Sequence, residues 1–218
     1  MPMINNNLIK LWLYPKNKNN LCRSITNDEK KIADRLPILK AEEYIYSRGC
    51  VRDALSDFFG INPLKIPLES PPGKPPILQK DFGYISFSHC RDNLLVGWSD
   101  KKIGVDIERS DRIFNAYAIS NLFYCNKEKN QLALFTKENY RLETLKLWVA
   151  KEASIKWQQN GSISKDISNW IINQNNKEAH HKLLDLKINI FSYEYKSWYL
   201  ALAYNSNIID IKEILEKV

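Results

Sequence analysis

The stretch Ile103-Gly104-Val105-Asp106-Ile107-Glu108 alternates apolar and acidic residues behind a single glycine. Alternate side chains of a strand share a face. Val105 and Ile107 are therefore expected to enter a core, while Asp106 and Glu108 project together from the opposite side. Two hard carboxylates on one face suit Mg²⁺, which takes oxygen ligands and keeps positions for water and substrate phosphates. Taken alone, the same D-x-E also describes the polar outer face of a half-buried strand.

Working outward from this strand, YISFS (84–88) and LLVGWS (94–99) precede it with short polar links, so the three are expected to form a meander. Residues 62–83 hold six of the nine prolines and are expected to be a loop with no regular element. Further upstream, LIKLWLY (8–14) reads as a first strand, followed by a polar turn and two helical stretches. The second, near 38–59, has Leu39, Ile45, Cys50, Val51, Leu55, Phe58 and Phe59 at roughly helical spacing and ends at Gly60, with Pro63 soon after. Downstream, 127–135 reads as helix and 138–160 as the longest helix, ended by Gly161. LLDLKINIFSYEY (183–195) and SWYLALAY (197–204) read as strands of a hairpin. No sequence repeat is present. Both halves nonetheless run helix then strands, which permits two α+β lobes joined near residues 100–104. The asparagine-rich NKNN and NQNN stretches read as surface turns.

The composition is that of an ordinary globular protein: 218 residues, 44% hydrophobic and 26% charged. That length serves one large domain or two small ones. No apolar run approaches the roughly 20 residues of a membrane span, and the N-terminal MPMINNNLIKLWLYPKNK lacks the basic start and cleavage site of a signal peptide. A cytoplasmic protein is expected. Cys22, Cys50, Cys90 and Cys125 stand far apart, with no C-x-x-C pair and only three histidines in the chain, which excludes a structural zinc pattern and leaves free, mostly buried thiols. The net charge of +7 favours an anionic partner. The basic residues are scattered rather than run together, which argues against a nucleic-acid tail.

Two further segments carry polar groups in fixed relation. In Leu147-Trp148-Val149-Ala150-Lys151-Glu152-Ala153-Ser154-Ile155-Lys156, Trp148, Glu152 and Lys156 are four apart and lie along one helical stripe. By itself this is also a plain surface Glu–Lys pair. Gly73-Lys74-Pro75 puts a lysine in a proline-stiffened turn suited to a phosphate contact, and Phe87-Ser88-His89 ends a strand with two directional donors.

In the order GKP, FSH, GVDIE, WVAKEASIK, the chain resembles the 4'-phosphopantetheinyl transferases, specifically the monomeric, two-lobed type that activates peptide and polyketide synthetases. G-[IV]-D-[IV]-E and W-x-x-K-E-x-x-x-K are that family's two signature motifs, here about 40 residues apart. The resemblance spans residues 48 to 161. It implies an α+β protein of two similar lobes related by a pseudo-twofold, each a small, mostly antiparallel sheet packed with helices, with residues 1–102 as the N-terminal lobe and 103–218 as the C-terminal lobe carrying the metal motifs. Coenzyme A would bind between the lobes. The activity implied is transfer of 4'-phosphopantetheine from coenzyme A to a serine of an apo acyl or peptidyl carrier protein, releasing 3',5'-ADP.

By motif position, Asp106, Glu108 and Glu152 would hold Mg²⁺ with the cofactor's pyrophosphate. Glu152 would accept the serine proton, directly or through water, and Lys156 would stabilise the α-phosphate or the leaving oxygen. Lys74, Ser88 and His89 match positions that grip coenzyme A phosphates, with Lys74 toward the 3'-phosphate. Arg48 and Arg52 match an arginine-bearing helix. The chain departs from the pattern at Glu43, where some members carry a phosphate-binding arginine. Glu128 matches a further acidic position. The positive charge suits a carrier protein whose recognition helix is acidic.

Three other readings compete. A magnesium-dependent phosphohydrolase or nuclease would use the same carboxylates, but has no need of Lys74 and Ser88-His89 ahead of the metal strand. A non-catalytic protein binding coenzyme A or a carrier domain would tolerate loss of Asp106, Glu108, Glu152 or Lys156, and all four are present. A nucleic-acid-binding module calls for a basic stripe interleaved with aromatics, which is missing. No membrane and no nucleic acid are expected among the partners.

Overall fold

The computed structural model describes residues 8–16, 24–173, 175, 177–205 and 214–216. The chain runs β1 (Ile9–Pro15), α1 (Asn27–Ala33), α2 (Ile38–Phe59), β2 (Leu68–Glu69), β3 (Ile77–Leu78), β4 (Tyr84–His89), β5 (Asn93–Ser99), β6 (Ile103–Arg109), α3 (Ala116–Phe123), α4 (Asn126–Leu132), α5 (Lys137–Gln158), α6 (Ile163–Asp166), β7 (Trp170–Asn173), β8 (Glu178–His181), β9 (Leu186–Tyr195), β10 (Trp198–Tyr204) and β11 (Ile214–Glu216). This is the expected α+β architecture with two groups of mostly antiparallel strands. Cys22 and the NKNN turn lie outside the described residues. Cys50 and Cys90 are buried and Cys125 half-buried, and none of the three forms a disulfide. No described helix is long and apolar enough to cross a membrane.

The first sheet has the order β11-β1-β5-β4, the second β6-β10-β9-β8-β7, and β2 pairs with β3 alone. Alternation along the strands fixes what each face buries. On one face of the first sheet, Trp12, Tyr14, Val96 and Trp98 meet Cys50, Val51, Ala54 and Leu55 of α2. On its other face Leu11, Leu13 and Leu95 pack with Val105, Ile107, Leu200 and Leu202 of the second sheet. The far face of the second sheet holds Ile188, Ile190, Ala201 and Ala203 against Leu145, Val149 and Ala153 of α5. The two halves repeat one plan. α1 and α4 have 7 residues each, and α2 and α5 have 22 each. The strand order β1-β5-β4 in one sheet matches β6-β10-β9 in the other. The C-terminal strand β11 crosses back to lie parallel to β1.

Several expectations are corrected. The third strand of the expected meander leaves it: β5 is already paired on both edges, to β1 and β4, so β6 pairs with β10 instead. The proline-rich segment is not devoid of regular structure. It contains β2, β3 and two short 3₁₀ turns at Pro63–Lys65 and Lys80–Phe82. Helix α5 ends before Gly161, because Gln159 turns to a positive φ (66°) at its C-cap. The helix expected at 127–135 is the shorter α4. Leu39 faces solvent in the first turn of α2, where Tyr44 and Tyr46 are buried instead. Helix α3 and strands β7, β8 and β11 were not anticipated.

Candidate active site

Strand β6 and helix α5 meet at almost no clearance, and the cause is Gly104. A Cβ built there would lie 2.0 Å from the Ala153 carbonyl oxygen and 2.4 Å from the Trp157 amide nitrogen. Both are backbone atoms that cannot swing aside. Glycine inside a strand often marks such an approach. Two residues further along the same face stands Asp106, which is thereby pressed against the C-terminal half of α5. Val105 and Ile107, on the opposite face, are fully buried between the sheets, as the alternation predicts.

Asp106 is buried, at 2% exposure. Its Oδ1 accepts from Lys156 Nζ at 2.6 Å and from Ser88 Oγ at 2.5 Å. Its Oδ2 is buried with no hydrogen-bond partner. A buried, unpaired carboxylate oxygen is costly, and it marks a place for a further donor or a cation. Glu152, one helical turn before Lys156, has its pKa pushed up to about 7. Burial is the largest cause, the charge of Asp106 adds to it, and Lys156 and the Trp148 indole offset part of it. A carboxyl poised near neutrality suits proton transfer at working pH. Glu108 is half-buried and paired to Arg112. Its pKa is also raised, first by burial, with the Arg112 charge acting downward and Asp106 upward.

The donor set fits a hard divalent cation. Three carboxylates share one low-dielectric corner, where the charge of Asp106 helps raise the pKa values of Glu152 and Glu108, and one buried oxygen lacks a partner. Among the described residues, however, no three His, Cys, Asp or Glu side chains already converge as a ready cage. Glu108 in particular is turned to Arg112.

Glu152 and Lys156 line a cavity of about 1010 Å³, whereas Asp106 and Glu108 stand outside its lining, Asp106 touching it through Lys156 and Ser88. Its walls include Glu152, Ile155 and Lys156 of α5, Gln159 just after it, Ser86 to His89 of β4, the Gly73–Pro76 turn, and Lys40, Glu43, Tyr44, Ser47 and Arg48 of α2. The cavity thus brings together Glu152, Lys156, Ser88, His89, Lys74 and Arg48. Lys74 is exposed in its turn, beside Gly73 at φ 73°. Ser88 is committed to Asp106. His89 Nε2 lies 2.8 Å from Glu43 Oε1, and its pKa is lowered, chiefly by burial. Arg48 donates from Nε and Nη2 to the Ser70 carbonyl and from Nη1 to Ser47 Oγ, and its guanidinium lies over the Tyr44 ring.

Arg52 is not in the cavity wall. It is 2% exposed, and its guanidinium reaches both carboxylate oxygens of Glu29 and the carbonyls of Pro63, Ile66 and Leu68. With its donors consumed by protein groups, it clamps α2 to α1 and to the following loop. Glu128 is likewise fully buried. It accepts from the Cys125 and Ile172 amides and pairs with Lys151 at 3.0 Å. Lys151, 0% exposed, also donates to the Trp170 carbonyl. Burial lowers the Lys151 pKa, and Glu128 acts against that. Sequence reasoning missed the roles of Gly104 and Glu43. The first had a signal, a glycine inside a strand pattern. The second had only its departure from a familial arginine.

The family model of the 4'-phosphopantetheinyl transferase superfamily matches residues 102–211, a stretch that holds β6, α5 and the whole carboxylate corner. No curated protein sequence matches the chain at a significant level. With the match covering just over half its length and the two signature motifs joined by the Asp106–Lys156 contact, this chain belongs to the 4'-phosphopantetheinyl transferase superfamily, enzymes that transfer phosphopantetheine from coenzyme A to carrier proteins.

Proposed function

We propose that the protein transfers the 4'-phosphopantetheine group of coenzyme A to the serine hydroxyl of an apo acyl or peptidyl carrier protein, releasing 3',5'-ADP. The observation that carries this reading is the contact of Asp106 with Lys156 beside a Glu152 whose pKa is near 7, at the wall of a cavity that is also lined by Lys40, Lys74 and His89. In the step, the serine oxygen attacks the phosphorus that bears the pantetheine arm. A new P–O bond forms, the pyrophosphate bridge breaks, and the bridging oxygen leaves with 3',5'-ADP. Glu152 takes the serine proton. Lys156 offsets charge on the α-phosphate and the leaving oxygen. Phosphoryl transfer of this kind needs positioning and charge stabilisation more than covalent chemistry by the protein.

Asp106, Glu108 and Glu152 are the proposed ligands of Mg²⁺, whose contribution when bound is to neutralise the pyrophosphate. The buried oxygen Asp106 Oδ2 supports this assignment. Lys74, His89 and Arg48 are proposed to face the adenosine end. Ser88 is proposed to serve the cofactor by orienting Asp106, and Arg52 by holding α2. The lobe division at residues 102 and 103, a monomeric state of 25.5 kDa and a cytoplasmic location belong to the same proposal. The repeated plan of the halves supports the first of these.

The test is the intact mass of an apo carrier protein incubated with coenzyme A, Mg²⁺ and the enzyme. The expected result is a gain of one phosphopantetheine. Release of inorganic phosphate or cut nucleic acid without any carrier protein would instead point to a hydrolase.

A further inference from the structure

The adenosine side of the cavity contains its own anion. Glu43 of α2 lies in the wall, and its Oε1 is 3.0 Å from Lys16 Nζ and 2.8 Å from His89 Nε2. Its Oε2 is 3.0 Å from Lys40 Nζ. The donors come from three places: the residue after β1, the end of β4, and α2 itself. Burial alone would raise the Glu43 pKa. The hydrogen bonds from Lys16 and Lys40, with the charge on His89, outweigh it and bring the pKa down to about 2. The carboxylate is therefore ionised at any working pH. Lys40 and His89 on the cavity wall, with Lys16 beside them, offer two ammonium groups and an imidazole N–H that form an anion site, and here a side chain fills it.

The nearby arginine does not compensate. Arg48 already gives Nε and Nη2 to Ser70 and Nη1 to Ser47. Lys74 stands in an exposed turn, where solvent screens its charge. If the pyrophosphate of coenzyme A lies against Asp106, Glu152 and Lys156, the one anionic group left is the 3'-phosphate monoester at the remote end. That group would compete with Glu43 for the same donors and meet its negative charge.

We propose that Glu43 is a specificity-determining residue: it occupies the anion position of the adenosine side, so the enzyme discriminates little between coenzyme A and 3'-dephospho-coenzyme A. The proposal rests on the transferase reading. It separates this cavity from one in which binding energy from a remote phosphate drives selection.

The test compares kcat/KM for the two cofactors in the full chain, with Mg²⁺ and an apo carrier protein. The unmodified enzyme is expected to favour coenzyme A by no more than about threefold, and Glu43→Gln to raise that preference to about tenfold or more by improving coenzyme A alone. Binding is measured in parallel without any turnover, by calorimetric titration of adenosine 3',5'-bisphosphate and of 5'-AMP. Glu43→Gln should tighten the bisphosphate and leave 5'-AMP unchanged. Glu43→Ser serves as a second variant should the first not fold. A strong preference of the unmodified enzyme for coenzyme A, or a preference that neither substitution changes, overturns the proposal. If no carrier protein is modified with either cofactor, the transferase reading fails. The titrations then still decide whether Glu43 fills an anion site.

Discussion

Helices α2 and α5 are built alike and used differently. Each has 22 residues and follows a 7-residue helix. Each carries a fully buried cation at its fifteenth position, Arg52 in one and Lys151 in the other. Each cation pairs with a buried glutamate at the third position of the short helix, and that glutamate also accepts the amide of its own cap residue: Glu29 with Thr26, Glu128 with Cys125. The clamp fixes the rotation of the long helix against its sheet in both lobes. What differs is the end of the helix that reaches the cavity. α2 offers its N-terminal half, with Lys40, Glu43 and Arg48; α5 offers its C-terminal half, with Glu152 and Lys156. Under the proposed function, one scaffold used at opposite ends would give one lobe that binds and one that reacts.

The comparison is broken most directly by removing a clamp. Arg52→Met and Lys151→Met each leave a carboxylate buried without its partner, and each should cost about 3–5 kcal/mol in denaturant unfolding. Pairing Lys151→Met with Glu128→Gln should recover much of the loss, since no bare charge then remains. If the helices are used as argued, the surviving folded fraction of Lys151→Met loses kcat, whereas that of Arg52→Met loses cofactor affinity. Equal kinetic defects in both would contradict the division of labour.

Gly104→Ala attacks the contact that only α5 makes. The added methyl meets the backbone of Ala153 and Trp157, so α5 must shift. A loss near the top of the 1–3 kcal/mol range of overpacking is expected, with kcat falling alongside. Full activity and unchanged stability would show that the helix has room.

Glu152→Gln keeps the shape of the side chain but removes the base. It should lower kcat by about 10²-fold or more, without rescue by high Mg²⁺ and with coenzyme A still bound. Asp106→Ala should weaken Mg²⁺ binding and recover partly when the metal is raised. A kcat within a few-fold of the unmodified enzyme in Glu152→Gln, at saturating metal, removes the base assignment. On the binding side, Lys74→Ala should raise KM by a few-fold at most with kcat held, and should act less on 3'-dephospho-coenzyme A than on coenzyme A.

The smallest effect is the acid response of Glu43. Its folded pKa of about 2 lies below the ordinary value of 4.5. Its contribution to stability is therefore present above pH 4.5 and lost as pH falls toward 2. Because the pairs are partly exposed, the difference between the unmodified protein and Glu43→Gln should stay below about 1 kcal/mol at neutral pH and shrink with added salt. A difference that grows on acidification would contradict the assignment.

Much of this was legible in the sequence, and the boundary of legibility is physical. The alternation in IGVDIE reports the two faces of β6, because side-chain period is local. The four-residue spacing of Trp148, Glu152 and Lys156 reports one face of α5 for the same reason. What was not legible depended on partners far along the chain. Arg52 reads like a free phosphate ligand until Glu29 and the carbonyls of Pro63, Ile66 and Leu68 close around it. β6 reads like the third strand of a meander because nothing local says that β5's other edge is held by β1. Strands such as EAHH at 178–181 are too short and polar to announce themselves, and the strand identity of Ile214–Glu216 rests on β1, some two hundred residues away.

The apolar seam between the two sheets has a consequence for anyone who would take the gene apart. Ile9, Leu11, Leu13 and Leu95 belong to one half, and Ile103, Val105, Ile107, Leu200 and Leu202 to the other, yet they form one continuous cluster. A reading frame cut between codons 102 and 103 would give two polypeptides, each with a bare stripe of leucine, isoleucine and valine along a sheet face. Expressed separately, the pieces would be insoluble or self-associating; expressed together, each is the other's missing solvent-excluding surface, and they would be purified as a complex.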